Sequence, residues 1–423
     1  LAALLQDPGM VFWTDAELGV YLVEALRTWA VYSFYWKERG VFPTVAATPF
    51  YDLPTLIPAV RGYTVTDANI VNTIEYHLLE PPSVPWSGTD QFTLAAVTNA
   101  LTRRRNQLLV ETGCRVDNFS QVVAPVQIGR TVLDDNVIDV RRLAWLDATT
   151  SLYSRIERED EWAIDAFFPT WPQNPATPYL YSVSVAPPLT VQLAPPPINA
   201  GEMDICAVRT QADLDGSGVL MNIPDDFTWI AKWGALADLL GSDGQARDPQ
   251  RVQYCEQRWK EGIALARLST SAMGVRVNDV PAALVSLYEL DEYNADWQNT
   301  SGSPSILAMA GLNLMAVADV PDGVYSVSVD LLSNAPVPVA DGDFIQVGRE
   351  EMEAILSYAQ HLASFKMGGE EFMITAPHYD RLVQLAALKN ERLRANARDF
   401  NALMDKGQRR EEAFEPRREP VEV

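Results

Sequence analysis

Cysteine and histidine are both scarce, with three of each in 423 residues. Cys114, Cys206 and Cys255 are too few and too scattered for a disulfide framework, and no two of them stand at metal-ligand spacing. They read as reduced, packed thiols in a reducing compartment. His77, His361 and His378 lie apart from one another and from the cysteines, and no H-E-x-x-H pair occurs. His361 follows Tyr358-Ala-Gln360 inside a helical pattern, which favours packing over catalysis. Basic charge is short as well: 33 Lys and Arg against 56 Asp and Glu leave a formal net charge of −23. That balance argues against wholesale nucleic-acid binding or adhesion to an anionic membrane, both of which need a basic footprint. No apolar run reaches the ~18 residues that a bilayer span requires. The opening Leu1-Ala-Ala-Leu-Leu5 is apolar but has no basic stretch, and Gln6-Asp7-Pro8-Gly9 follows at once, so the pattern is not a signal peptide. Neither a G-x-S-x-G elbow nor a G-x-x-x-x-G-K-[ST] loop is present. Carboxylates are so abundant that a catalytic pair could be nominated anywhere, which gives the nomination no weight. The expectation is a chain with no catalytic residues, no cofactor and no metal.

What is present is ordinary globular material: 48% hydrophobic and 21% charged residues. At roughly 150 residues per domain the length suggests two or three compact units. A capping-box arrangement, Thr14 with Glu17 three residues on, opens a helix whose apolar face (Leu18, Leu22, Ala25, Leu26, Trp29) is expected to run to Arg39-Gly40. The proline-punctuated stretch from Phe42 to Pro58 reads as an irregular connection. A second helix is expected from about Asp90 to Glu111, ended by Thr112-Gly113. From Cys114 to about Arg209 the texture changes to short β-branched runs at Gln121–Ala124, Arg130–Leu133, Val137–Arg142, Tyr181–Val185 and Leu189–Leu193. Such spacing marks a sandwich or barrel. Helices resume after Ile223-Pro-Asp-Asp226 and at Asp248-Pro249, and the short link between them predicts an antiparallel pair. Asn299-Thr-Ser-Gly-Ser-Pro304 reads as a linker, and Val324–Val329 alternates with strand period. Two helices, Arg349 to Lys366 and Pro377 to Lys406, precede a tail of alternating charge.

The expected fold is therefore α+β: a helical bundle with an inserted β-sandwich or barrel-like domain, and a second small β segment before C-terminal helices. The expected boundaries are a helical part over 1–113, the β insert over 114–212 and a helical hairpin over 213–300. A second β segment over 301–348, C-terminal helices over 349–406 and a charged tail over 407–423 complete the chain.

Three places invite a functional reading. Arg103, Arg104 and Arg105 form the one compact basic triplet before the tail, and three consecutive helical positions span about 200° of surface, so two can face a partner. With Arg409, Arg410, Arg417 and Arg418 of the tail they are the candidate partner-contact residues; the bland alternative is a solvated or salt-bridged face. Asp213-Leu-Asp215-Gly-Ser217-Gly218 matches the start of an EF-hand loop, but Pro224 stands where a bidentate Glu is needed, so an ordinary turn is favoured over calcium. Met367-Gly-Gly369 reads as a helix–helix corner that only glycine tolerates. Trp86, Trp162, Trp171 and Trp297 are candidate contact aromatics, although buried aromatics are equally ordinary core.

Leu4-Leu5-Gln6-Asp7, the run Phe12-Trp13-Thr14-Asp15-Ala16-Glu17-Leu18 and Glu24-Ala25-Leu26-Arg27 open the chain. A proline-rich close to the β region follows between Pro172 and Pro197. The post-β helix pair then carries Ala235-Leu-Ala-Asp-Leu-Leu240 and Asp248-Pro-Gln-Arg-Val-Gln-Tyr-Cys255. In this order, over residues 1–270, the chain resembles the head-to-tail adaptor, or neck, proteins of tailed bacteriophages. The linker at 299–304, the second β segment and the C-terminal helices depart from that pattern. The resemblance implies a structural virion protein, made in the host cytoplasm and placed in the neck. It would form a homo-oligomeric ring of twelve that binds the portal protein on one side and a tail tube or nozzle protein on the other. DNA would pass through without sequence-specific binding, and no membrane is involved. The rival expectation is a tail-associated binding module whose β domain recognises a tail partner or a host-surface glycan. A tail-associated hydrolase ranks third.

Overall fold

The computed structural model describes residues 1–58, 60–78, 92–125, 130–184, 188–210, 212–242, 247–338 and 345–391. They form a mixed α+β fold: a helical body carrying two seven-stranded sheets, one a nearly closed barrel and the other a curled half-barrel.

The helical body begins with Asp15–Ser33. The Thr14 hydroxyl accepts the Glu17 N–H at 3.3 Å, as a cap should, but the Glu17 carboxylate does not return the bond. It is buried, and accepts instead from the Tyr21 hydroxyl at 2.7 Å and from Lys366 at 3.2 Å. The helix stops well before the expected Gly40, at Phe34 in the left-handed region (φ 48°), and Lys37–Pro43 is a strand. Gly40 is there for a different reason: a Cβ on it would stand 2.3 Å from Ile57 Cγ2. Asp67–Leu78 is a further helix, beyond those the sequence pattern predicts. Leu94–Thr112 is capped by Thr93 and ends on left-handed Gly113, close to expectation.

Thr228–Gly241 and Pro249–Leu268 form the antiparallel hairpin. Its helices approach closely enough that a Cβ on Gly262 would meet Ile230 Cγ1 at 2.5 Å. Arg349–Ser364, Gly369–Thr375 and the helical stretch 377–391 complete the bundle, the remainder of the helix expected to reach Lys406 lying outside the described residues. Tyr21, Leu26, Trp29, Ile230, Trp233 and Tyr358 all sit in the single large core that these helices share.

The barrel is continuous in sequence. In spatial order its strands are Asp117–Val123, Gly201–Arg209, Val137–Asp147, Tyr153–Arg158, Leu180–Val183, Thr190–Ala194 and Thr131–Val132. The Gln121 side chain donates to the Val132 carbonyl at 3.0 Å and ties the first strand to the last. Val140, Leu143, Trp145, Met203, Ile205 and Ala207 fill its interior. Two of these strands were not expected. Tyr153–Arg158 buries only Ile156 and looks polar, and Gly201–Arg209 is buried on both faces, so neither alternates cleanly.

The second β region is larger than the small segment expected over 301–348. Its order is Lys37–Pro43, Ser326–Leu332, Ala272–Val277, Val280–Ser286, Ile306–Ala310, Leu314–Ala318 and Phe50–Asp52. The stretch Phe42 to Pro58, expected as an irregular connection, thus supplies one edge strand, Phe50–Asp52, and the end of the other, whose first residues Lys37–Gly40 were expected as helix. Ala272–Val277 and Val280–Ser286 form a hairpin through Asn278 and Asp279, both at positive φ (48° and 66°), as a type I′ turn demands. The supposed linker is also structured: Ser301–Gly302 pairs with Val320–Pro321. Across three neighbouring strands Phe42, Val327 and Val277 share a row facing the core, and Val41, Ser328 and Arg276 share the next row, facing out.

Candidate functional site

A cleft of about 730 Å³ opens between the barrel, the short helix Leu287–Tyr293 and the ends of the Leu94–Thr112 and Pro249–Leu268 helices. Its inner wall is an ion cluster that fastens barrel to half-barrel. Arg142 grips Asp291 with two bonds, at 2.7 and 3.1 Å, and gives a third to Gln298 at 2.7 Å. Gln298 donates to Asp204 at 2.9 Å, and the Trp297 indole donates to Asp291 at 2.9 Å. Burial pulls the Arg142 guanidinium down, but the hydrogen bond and charge of Asp291 outweigh it and hold the group firmly protonated. Asn299 and Tyr153 exchange two further bonds across the joint, at 2.6 and 2.8 Å.

Nearer the mouth the charges are matched in the same way. Arg141 and Arg267 donate to the carbonyls of Val110 and Glu111, the last turn of the Leu94–Thr112 helix, where cations offset the dipole. Arg155 pairs with Glu292 at 2.9 Å. A cleft whose guanidiniums are already held by the chain's own carboxylates and carbonyls works as a joint. Cys206 and Cys114, which also line it, have thiols pushed by burial up to about 12 and about 11, so both stay protonated and unreactive.

The arginine triplet does not form a basic face. Arg103 and Arg104 each reach Asp238 at 2.6 Å, and Arg104 also meets Glu256 at 2.6 Å while lying over the Trp259 ring. Burial alone would raise the Asp238 carboxyl, but the bonds from Arg104 and Arg103 bring it below the usual value. Arg105 is fully buried and donates to the Ala212 carbonyl at 3.1 Å. The triplet is a clasp on the helical hairpin, and Arg105 is withdrawn from any partner. Arg409, Arg410, Arg417 and Arg418 lie outside the described residues.

The calcium-like loop has inverted chemistry. The amide groups of Asp215, Gly216 and Gly218 point at the Asp67 carboxylate, at 2.9, 2.7 and 2.9 Å. A loop that presents N–H donors to an anion is not offering oxygens to a cation. Among the described residues no group of three or more His, Cys, Asp or Glu is placed to hold a metal.

Two of the three histidines, His77 and His361, are interior, and His378 is half-buried. His77 lies 3.0 Å from Lys232 Nζ, and Lys232 pairs with Glu24, which also accepts the Trp233 indole N–H at 3.0 Å. Burial first, and then the Lys232 charge, hold His77 neutral. His361 bridges Thr375 and Tyr254 at 2.9 and 3.1 Å, and burial pushes it down to about 3. Gly368 and Gly369, at φ 66° and 60°, make the expected helix–helix corner.

Uncovered apolar side chains are more informative than any polar cluster. The helix Glu161–Phe167, capped by Asp160, buries only Ile164, so Trp162 stands 83% exposed and Phe167 78%. Phe168 and Tyr179 extend this corner of the barrel, edge to face at 5.9 Å. Val11, 90% exposed, and Phe12 form a second patch, and Met373 and Ile374 a third. Of the tryptophans singled out by sequence, Trp171 and Trp297 are buried and Trp86 lies outside the described residues, which leaves Trp162 as the outward one. The sequence signal for its helix is Glu159-Asp160-Glu161, an acidic helix start just before Trp162. No family model matches the chain, and no curated protein matches it either.

Proposed function

We propose that the chain is a structural virion protein of a tailed-phage neck. It assembles as a ring, joins the portal to the tail tube or nozzle, and leaves a passage for DNA. The observation that carries this reading is the exposure of large apolar side chains at three separate places on an acidic body: Trp162 to Phe168, Val11 to Phe12, and Met373 to Ile374. Surfaces of this kind are unfavourable in water and are the usual chemistry of protein interfaces. A neck component needs them above, below and beside itself. Arg104 and Arg105 are turned inward, and a ring built from chains of net charge −23 repels phosphate and lets a duplex slide. The function needs no reaction, and the matched charges of the cleft fit a joint.

Electron microscopy of the purified protein mixed with the portal ring of the same genome tests the reading. A collar of about twelve copies, the number the family resemblance implies, stacked on the portal supports it, and a protein that stays apart from the portal sinks it. One observation also favours the rival: Trp162, Phe168 and Tyr179 are aromatic faces exposed on the barrel, as a glycan-recognition surface requires. Binding of the free protein to host-surface glycans, lost on Trp162→Ala, would move the weight there.

A further inference from the structure

The three apolar patches differ in their electrostatic surroundings, and that difference points to a partner for one of them. The barrel corner is flanked by Glu157, Glu159, Asp160 and Glu161; Glu161 is held by Arg130 and the intervening Arg158 by Asp139, which leaves Glu157 and Glu159 without an ion pair among the described residues. Val11 and Phe12 sit between Asp7 and Asp15, where Lys366 is already paired with Glu17, and Met373 and Ile374 follow Glu370. Neither of those patches attracts an acidic corner. The outer face of the half-barrel does. There Val41 and Pro43 lie exposed beside Ser326 and Ser328, and Arg276 stands in the same outward row as Val41. Arg276 and Lys37 have no ion-pair partner among the described residues, unlike the cleft arginines. Among the described residues Lys37–Pro43 is also an edge strand, paired on one side by Ser326–Leu332.

We infer that the acidic aromatic corner around Trp162 docks on the outer face around Val41 and Arg276 of a second copy of this chain. The two patches are different surfaces of one molecule, so the contact is heterologous and propagates from copy to copy, closing into a ring when the rotation allows. The indole of Trp162 supplies the buried anchor, with Val41 and Pro43 as its apolar bed and the Arg276 guanidinium available to its face. Glu157 and Glu159 complement Arg276 and Lys37, which sets orientation and opposes the reverse pairing of like with like. The inference deepens the neck reading by naming its lateral contact, and the two are separable, because self-association is measured without any portal.

The test is sedimentation of the full chain over a range of concentrations. Wild type is expected to self-associate as concentration rises, more weakly at high salt. Trp162→Glu, at an exposed site that leaves the fold intact by circular dichroism, should weaken association roughly tenfold or more. Arg276→Glu and Glu159→Arg should each weaken it severalfold, and the two reversals combined in one chain should restore it. Ile374→Glu, on a different patch, should leave it unchanged. Wild type that stays monomeric, or association indifferent to Trp162→Glu and Arg276→Glu, overturns the inference. Portal binding by a chain that does not self-associate leaves the neck reading standing without it, and self-association without portal binding does the reverse.

Discussion

The two sheets have the same number of strands and are built on opposite plans. The barrel takes all seven from one stretch, 117–209, and its two edges meet at the bond from Gln121 to Val132. The half-barrel collects strands from 37–52, 272–286 and 306–332, and among the described residues both its edges remain open. Val116 and Thr210 flank neighbouring strands, Asp117–Val123 and Gly201–Arg209, so the barrel enters and leaves at one place. The half-barrel is interleaved with the helical body and has no such seam. An element that is local in sequence is attached to the fold, while one that is dispersed through the sequence is part of what makes the fold.

The sharpest way to break this contrast is deletion. Replacing 117–209 by a short bridge should leave a chain that still melts cooperatively, whereas removing 37–43 should abolish folding, both read by calorimetry. Next come core truncations of matched size. Trp145→Ala in the barrel and Phe42→Ala in the half-barrel should each cost ~3–5 kcal/mol. Hydrogen exchange should rise only within 117–209 for the first, and across 37–52 and 272–332 together for the second. The joint between the sheets is probed by Asp291→Ala, which strands the buried Arg142 and should cost ~3–5 kcal/mol in urea melts. Replacing both partners by apolar residues should cost much less.

A smaller effect sits where the helical body meets segment 60–65. Asp226 is fully buried beside Arg61, and burial pushes its carboxyl up to about 6 against the pull of Arg61 and Arg27. The folded state therefore holds this proton over a range in which the unfolded state has released it. Stability is greatest below the unfolded value of 3.8 and falls as pH rises to about 6, by at most ~3 kcal/mol. Asp226→Asn should flatten that slope in melts run against pH. The smallest expected change is Arg103→Ala, whose largely exposed pair with Asp238 is worth ~1 kcal/mol or less.

Legibility in the sequence followed the same division. The insert showed itself as a run of β-branched segments because its pairing is local. The helices at 94–112 and 249–268 were announced by Thr112-Gly113 and by Asp248-Pro249. The half-barrel stayed hidden because Lys37–Pro43 has no local partner and its Gly40 imitates a helix stop. Residue type misled in two other places. Arg103 to Arg105 look like a basic face until Asp238, Glu256 and Ala212 arrive from elsewhere in the chain. Asp213 to Gly218 look like a cation loop until Asp67 fills it. In both, the deciding group is more than a hundred residues away, and no window along the chain contains it.

The pairing of Lys37 with Leu332 has a consequence in time. A ribosome delivers the chain from one end, and the first strand of the half-barrel emerges almost three hundred residues before the strand that covers it. Until then Lys37–Pro43 has no strand paired beside it, with Tyr51 the near neighbour on which Phe42 can pack, while the whole barrel has been synthesised and can close on its own. The nascent protein thus carries a finished module in its middle and an exposed strand near its start. That strand, with its charged Lys37, Glu38 and Arg39 and its terminal Pro43, is written in residues that discourage stray pairing during the wait.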